Sequence, residues 1–217
     1  MSNNDNLGLF TLTSPLVTAH PALVAARAFK RDGKDKGEPK FGLNFLFKPD
    51  AADFLAAKDI AIKVARARWP GRDLKTLKFP FSSGDKLADK RKEKGKDDGD
   101  FQRGFIVMVA RSKYRPKMGY LEGGRMVELD GDAAVAAAKD KFYFGVECFA
   151  QFNFVAYEGG TGPDGVTAYL QSVLSTGKGK KLASGGASLA ETFKGYVGTV
   201  TGEDPMGGAD LDDEIPF

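Results

Sequence analysis

Residues 143–157 read YFGVECFAQFNFVAY. The even positions Phe142, Phe144, Val146, Cys148, Ala150, Phe152, Phe154 and Ala156 are all apolar. A period of two over so long a run marks a strand with one face in a core. The odd positions include Tyr143, Glu147, Phe149, Gln151, Asn153 and Tyr157, a face that is polar yet keeps three rings. A glycine turn, GGTGPDG (159–165), and a further strand, VTAYLQSVLS (166–175), follow at once.

Working outward, RGFIVMVARSKYRPK (103–117) is a buried strand that emerges in a basic, aromatic end, and RMVEL (125–129) is a short strand. In KFGLNFLFK (40–48), Phe41, Leu43, Phe45 and Phe47 share one face, with Lys40, Gly42, Asn44 and Lys48 on the other. Leu16 to Lys30 is strand-like but interrupted by Pro21, and LKFPF (77–81) is a short extended piece. Asp50 is expected to cap a helix running to Arg68, with Phe54, Leu55, Lys58, Ile62 and Ala65 at helical spacing. Asp132 is expected to cap a second, alanine-rich helix. Residues 1–13 read as loose, and SSGDKLADKRKEKGKDDGD (82–100) reads as a mobile loop because almost nothing after Leu87 is apolar. ASLAETFKGY is read as one amphipathic turn in a linker. Five or six strands, one long inserted helix and no repeated βαβ rhythm point to a mainly β fold, a small, partly open barrel with embellishments. Residues 1–200 are expected to form this domain, and 201–217 a flexible acidic tail.

The 217 residues carry 32 bases and 29 acids. Glu203–Phe217 hold six of those acids and no base, which leaves residues 1–202 at +9, and Arg27–Lys117 alone hold 25 bases against 13 acids. Charge by itself leaves two readings open: a cationic body for a polyanion with a separate role for the tail, or a solubilising tail on a mildly basic protein. With one cysteine, Cys148, and one histidine, His20, no disulfide framework and no Cys/His zinc site are expected. No apolar run is long enough to span a membrane, and MSNNDNLGLF does not read as a secretory signal.

No catalytic constellation stands out: there is no GxxxxGK[ST], GxSxG or HExxH pattern, and no enzymatic activity, cofactor or metal is expected. The binding candidates are rings and cations. Tyr143, Phe149 and Tyr157, interleaved with amides, make a stacking platform for unpaired bases; the plain alternative places them under the long helix or a loop. Arg111, Lys113, Arg115 and Lys117 surround Tyr114. Lys40 and Lys48 share a strand face, Arg68 and Trp69 close the helix, Tyr169 lies in the last strand, and Lys178 and Lys180 belong to GKGKK (177–181). Arginine and lysine neutralise phosphates, and rings stack bases.

The stretch from Tyr143 to Gly185, with its Gly165-Val166-x-x-x-Leu170-x-x-Val173 pattern and later Gly179-x-x-Leu182, resembles a family of bacteriophage single-stranded DNA-binding proteins. FIVMVARSKYRPKM fits that family's preceding strand. The resemblance covers roughly residues 100–185, more loosely 14–80. It implies an OB fold, a five-stranded, partly open Greek-key barrel with an inserted helix, long hairpins and a disordered tail. It also implies sequence-tolerant binding of single-stranded DNA in replication, recombination and repair, in the host cytoplasm. The final DLDDEIPF is similar to the acidic C-terminus of bacterial single-stranded DNA-binding proteins. That likeness implies docking of Asp212, Asp213, Glu214, Ile215, Pro216 and Phe217 on replication and repair proteins. Without DNA the tail is expected to lie in the cationic groove as an internal polyanion. An RNA-binding or protein-interaction adaptor and a metal-dependent nuclease stand as alternatives, and the oligomeric state as monomer or dimer.

Overall fold

The computed structural model describes residues 7–31, 34–95, 99–160 and 162–182. Nine strands and three helices follow along the chain: β1 (Leu9–Thr11), β2 (Leu16–Arg31), β3 (Lys34–Phe47), α1 (Ala52–Arg68), β4 (Phe81–Ser83), α2 (Gly84–Lys92), β5 (Ile106–Ser112), β6 (Lys117–Glu122), β7 (Arg125–Leu129), α3 (Gly131–Ala137), β8 (Glu147–Tyr157) and β9 (Gly165–Ser175). Five of them close into a ring. β2 pairs β3, β3 pairs β5, β8 pairs β9 and β8 returns to β2, all antiparallel, while β5 and β9 run parallel. This is the strand order of an OB fold. Closure rests on short ladders: Leu16 and Val17 on Cys148 and Glu147, and Ala110 beside Ala168. The β6–β7 hairpin extends the sheet from β9, β1 extends it from β8, and β4 pairs β5.

The period-two reading of β8 holds along the strand, where Cys148, Ala150, Phe152 and Phe154 are all buried. Phe152 meets Phe45 edge-on at 4.9 Å and stacks on Phe10 at 6.4 Å. Phe144 departs from that core face. It precedes the strand and lies half-buried beside His20 and Phe101. On β9 the inward phase changes once. Val166, Ala168 and Leu170 point in, then Val173 and Ser175, because the pairing with β8 slips where Gln151 opposes Ser172 and Phe152 opposes Leu170. That bulge lets β9 leave β5 and join β6.

Helix α1 packs an alanine stripe against the barrel: Asp53, Ala57, Ala61, Val64 and Ala65 are its buried residues. The expected face was different, and Leu55 is 49% exposed. Small side chains let a helix approach closely, so residue size misidentifies the inward face. Phe54 nevertheless joins the core, linking Phe47 at 6.1 Å to Phe81 at 5.6 Å.

Four further expectations are corrected. Asp50 does not cap α1; its N-cap is Ala51, without a side-chain bond. Asp53, in the first turn, instead accepts hydrogen bonds from the backbone N–H and hydroxyl of both Thr13 and Ser14. Residues 7–13 are therefore docked rather than loose, with Phe10 and Leu12 buried and β1 paired to β8. Asp132 makes no cap bond, since the N-cap of α3 is Asp130; Asp132 pairs with Arg115. The charged stretch after Ser82 is not a mobile loop throughout but contains α2. Ser83 Oγ accepts from Lys86 N, Asp85 lies in the first turn and Lys90, Arg91 and Lys92 in the last, an order that suits the helix dipole. Residues 96–98, ASLAETFKGY and the acidic tail lie outside the described residues.

Candidate nucleic-acid interface

The outward positions of β3, β5, β8 and β9 meet on one side of the barrel. Gly42 pairs with Arg111, and a Cβ on Gly42 would stand 2.4 Å from the Ala110 carbonyl and 3.0 Å from Arg111 Cγ. The glycine thus leaves room for the arginine side chain to lie across β3. Lys40 sits two residues away and is exposed. On β9, Tyr169 follows Ala168, the residue that pairs with Ala110 of β5, and is 39% exposed. Tyr157 ends β8 opposite Gly165.

One further cation joins them from the segment before β4. Lys78 donates its backbone N–H to Asp164 O at 2.9 Å and accepts from Val166 N at 2.8 Å, so it lies alongside the start of β9. The turn beneath is clipped to the end of α1 by Arg72 on Asp164 at 2.6 Å and by Arg68 on Glu158. The Arg72 guanidinium, helped by the Gly159 N–H, holds the Asp164 carboxyl below its ordinary range.

An open groove of about 720 Å³ results, lined by Lys40, Lys78, Phe79, Arg111, Tyr157 and Tyr169 among others. A second cavity of about 490 Å³ lies inside the bend of the β2–β3 hairpin, lined by His20, Arg27, Phe41, Asn44 and Arg91. Lys40 and Arg111 line both, so the two are neighbours. The bend follows from His20, a non-glycine residue at φ 52°, and Pro21, which cannot donate to the ladder where the pairing shifts register.

Of the residues expected from sequence, Lys40, Arg111, Tyr157 and Tyr169 share this groove. The others lie elsewhere. Lys48 follows β3 at its far end, in the turn to α1, and does not share a strand face with Lys40. Arg68 is committed to Glu158, and Trp69 packs on the core under Arg72, 5.6 Å from its ring. Arg115 is a structural cation. It donates to the carbonyls of Leu23 at 3.2 Å and Val24 at 2.8 Å, pairs with Asp132 and covers the Phe41 ring at 5.0 Å. Tyr114, 76% exposed, stands on the turn that Arg115 anchors, next to Lys113, which is 3.6 Å from Glu38. Lys117 and Phe149 line a separate, largely apolar hollow of about 320 Å³ near β6 and β7. Tyr143 donates to Gly179 O at 2.8 Å and lies under Lys181. Lys178 and Lys180 are exposed on that same loop, whose backbone holds the start of β8.

The three-ring platform is therefore divided. Tyr143 precedes β8, and Phe149 and Tyr157 share a face of the strand but stand eight positions apart, about 26 Å on a curved wall. The groove also recruits residues that the sequence left unmarked. Lys78 carried a weak signal, a lone cation between the buried Leu77 and half-buried Phe79. Arg27 was a single cation in an apolar stretch, and Arg91 carried no signal because it sits among other charges. Among the described residues, no three His, Cys, Asp or Glu side chains gather closely enough to hold a metal ion.

Comparison with known proteins adds a family to this geometry. Residues 17–204 match the model of a family described as Enterobacter phage Enc34, ssDNA-binding protein. The chain belongs to the Enc34 single-stranded DNA-binding family. The solved single-stranded DNA-binding protein of bacteriophage Enc34 is 19% identical, covers 86% of this chain and 90% of its own, and superposes with a TM-score of 0.59. The same phage protein in complex with ssDNA is 20% identical over 81% of this chain and 90% of its own, also at 0.59. These likenesses show that the Enc34-family barrel is the OB fold described above. No curated protein matches the chain.

Proposed function

We propose that this protein binds and covers single-stranded DNA, without strong sequence preference, along the groove that Lys40, Lys78, Arg111, Tyr157 and Tyr169 line. The observation that carries the reading is that cations and rings from four strands and the Lys78 segment converge on one open channel, in a chain of the Enc34 family. The cations neutralise the backbone, and the tyrosines offer faces on which any base can stack. Binding is an equilibrium with no covalent step. In this reading the protein serves phage DNA replication, recombination and repair in the host cytoplasm, and Asp212–Phe217 recruit partner proteins.

The test is fluorescence anisotropy of labelled oligo(dT) with the full chain, competed by duplex DNA and by oligo(U). Single-stranded DNA should compete best, and Lys40→Ala/Arg111→Ala should weaken binding at least tenfold. Equal competition by RNA would redirect the reading to an RNA-binding adaptor. Loss of Phe217 should abolish capture of replication proteins while leaving oligo(dT) affinity in place.

A further inference from the structure

The barrel supplies the floor of the groove, and α2 borders both it and the neighbouring cavity. Leu87 lines the larger cavity and Arg91 the smaller. Four residues apart, they lie on one face of the helix, one turn from each other. Lys40 and Arg111 line both of these cavities as well.

The adjoining face is mounted firmly. Gly84 and Ala88 are buried, and a Cβ on Gly84 would fall 1.8 Å from the Gln102 carbonyl. Gly84 N donates to Phe105 O at 2.8 Å, and Asp85 accepts from Gly104 N at 3.0 Å. Arg103 holds Asp89 at 2.9 Å and Asp100 at 2.8 Å. The turn that carries these groups also carries Phe101, whose ring lies 5.9 Å from His20 and 5.0 Å from Phe144. Nine residues that include Lys86, Lys90, Arg91 and Lys92 would be most comfortable as a solvated helix. Here they are held against the barrel beside a groove that is already cationic, an arrangement that favours a bound polyanion.

We propose that α2 is the second wall of the binding groove, with Arg91 contacting a backbone phosphate and Leu87 packing on the adjoining nucleotide. The inference rests on the single-strand-binding reading above and adds to it a gripping element outside the barrel.

Salt titrations of the full chain with labelled oligo(dT) test it. Arg91→Ala should weaken binding about tenfold, as for loss of one charge-assisted contact. It should also reduce the log–log salt slope by about 0.7. Arg91→Lys should restore the slope, Leu87→Ala should weaken binding with the slope unchanged, and Lys90→Ala, exposed and outside both cavities, should matter less. If Arg91→Ala weakens binding no more than Lys90→Ala, the wall is overturned. If that happens while Lys40→Ala/Arg111→Ala is still weakened, only the wall falls. If the double variant binds as the wild type does, or the wild type does not bind oligo(dT), the groove itself falls and the wall with it.

Discussion

Tyr157 and Tyr169 differ from the rings of the barrel core in where they lie. Both border a cationic groove, whereas Phe45, Phe47, Phe152 and Phe154 are sealed in the barrel. Replacing either tyrosine with alanine should cost about 1–3 kcal/mol of binding to oligo(dT) and leave the melting temperature nearly unchanged. Arg115→Ala should do the reverse. Its loss leaves the Leu23 and Val24 carbonyls without their donor, about 2 kcal/mol of stability, with little direct effect on affinity measured well below the melting temperature. Cys148 supplies a pH test. Burial pushes its thiol from 9.0 up to about 12. The unfolded thiol ionises first, so the folded state keeps this contribution below about pH 9 and loses it as pH rises towards 12. Denaturant melts across that window should show the decline, and Cys148→Ala or Cys148→Ser should flatten it. The residue scale also shows what sequence could carry. A cation and a ring at the end of a strand are visible candidates, but Arg111 and Arg115, four apart, divide into a groove residue and a structural tie only through what surrounds them.

At the scale of elements, the segment before β4 depends on a close approach. A Cβ on Gly165 would meet the Lys78 carbonyl at 2.2 Å. Gly165→Ala should therefore displace Lys78 and Phe79, cost about 1–3 kcal/mol of stability, and weaken oligo(dT) binding although it removes no contacting side chain. Unchanged affinity in anisotropy would show that Lys78 is dispensable to the groove. The turn between β8 and β9 behaves oppositely with acid. Because Arg72 holds Asp164 below its ordinary pKa, the clip persists as pH falls and is lost only below the usual carboxylate range. The long strands were legible because alternation over many residues has one physical meaning. Helix α2 was not, since its hydrophobic content is low and its stability comes from Ser83 at its start and from Gln102 and Phe105 across a loop.

For the whole molecule, charge should govern binding. The log–log salt slope for oligo(dT) should be about −0.7 per phosphate neutralised, and Lys40→Ala and Arg111→Ala should each reduce it by about that amount. A titration insensitive to salt would contradict a groove built from these cations. Removal of residues 203–217 takes the formal net charge from +3 to +9. Stopped-flow association with oligo(dT) should accelerate at low salt and converge with the wild type near 1 M, where screening acts within about 3 Å.

The amino-acid sequence alone determined the inward face of β8, the buried character of β3 and β5, the presence of α1 and the contrast between a basic body and an acidic end. Each of these is a property of periodicity or composition, and both are written along the chain. Tertiary structure decided which outward residues share a site. Tyr143, Phe149 and Tyr157 alternate alike in the sequence but lie in three places, Tyr143 ahead of the strand, while Lys40, Lys78, Arg111 and Tyr169 come from four segments to one groove. The reason is geometric: alternation specifies in or out, and barrel closure, the bulge at Gln151 and the crossing of the Lys78 segment over Gly165 specify who is beside whom.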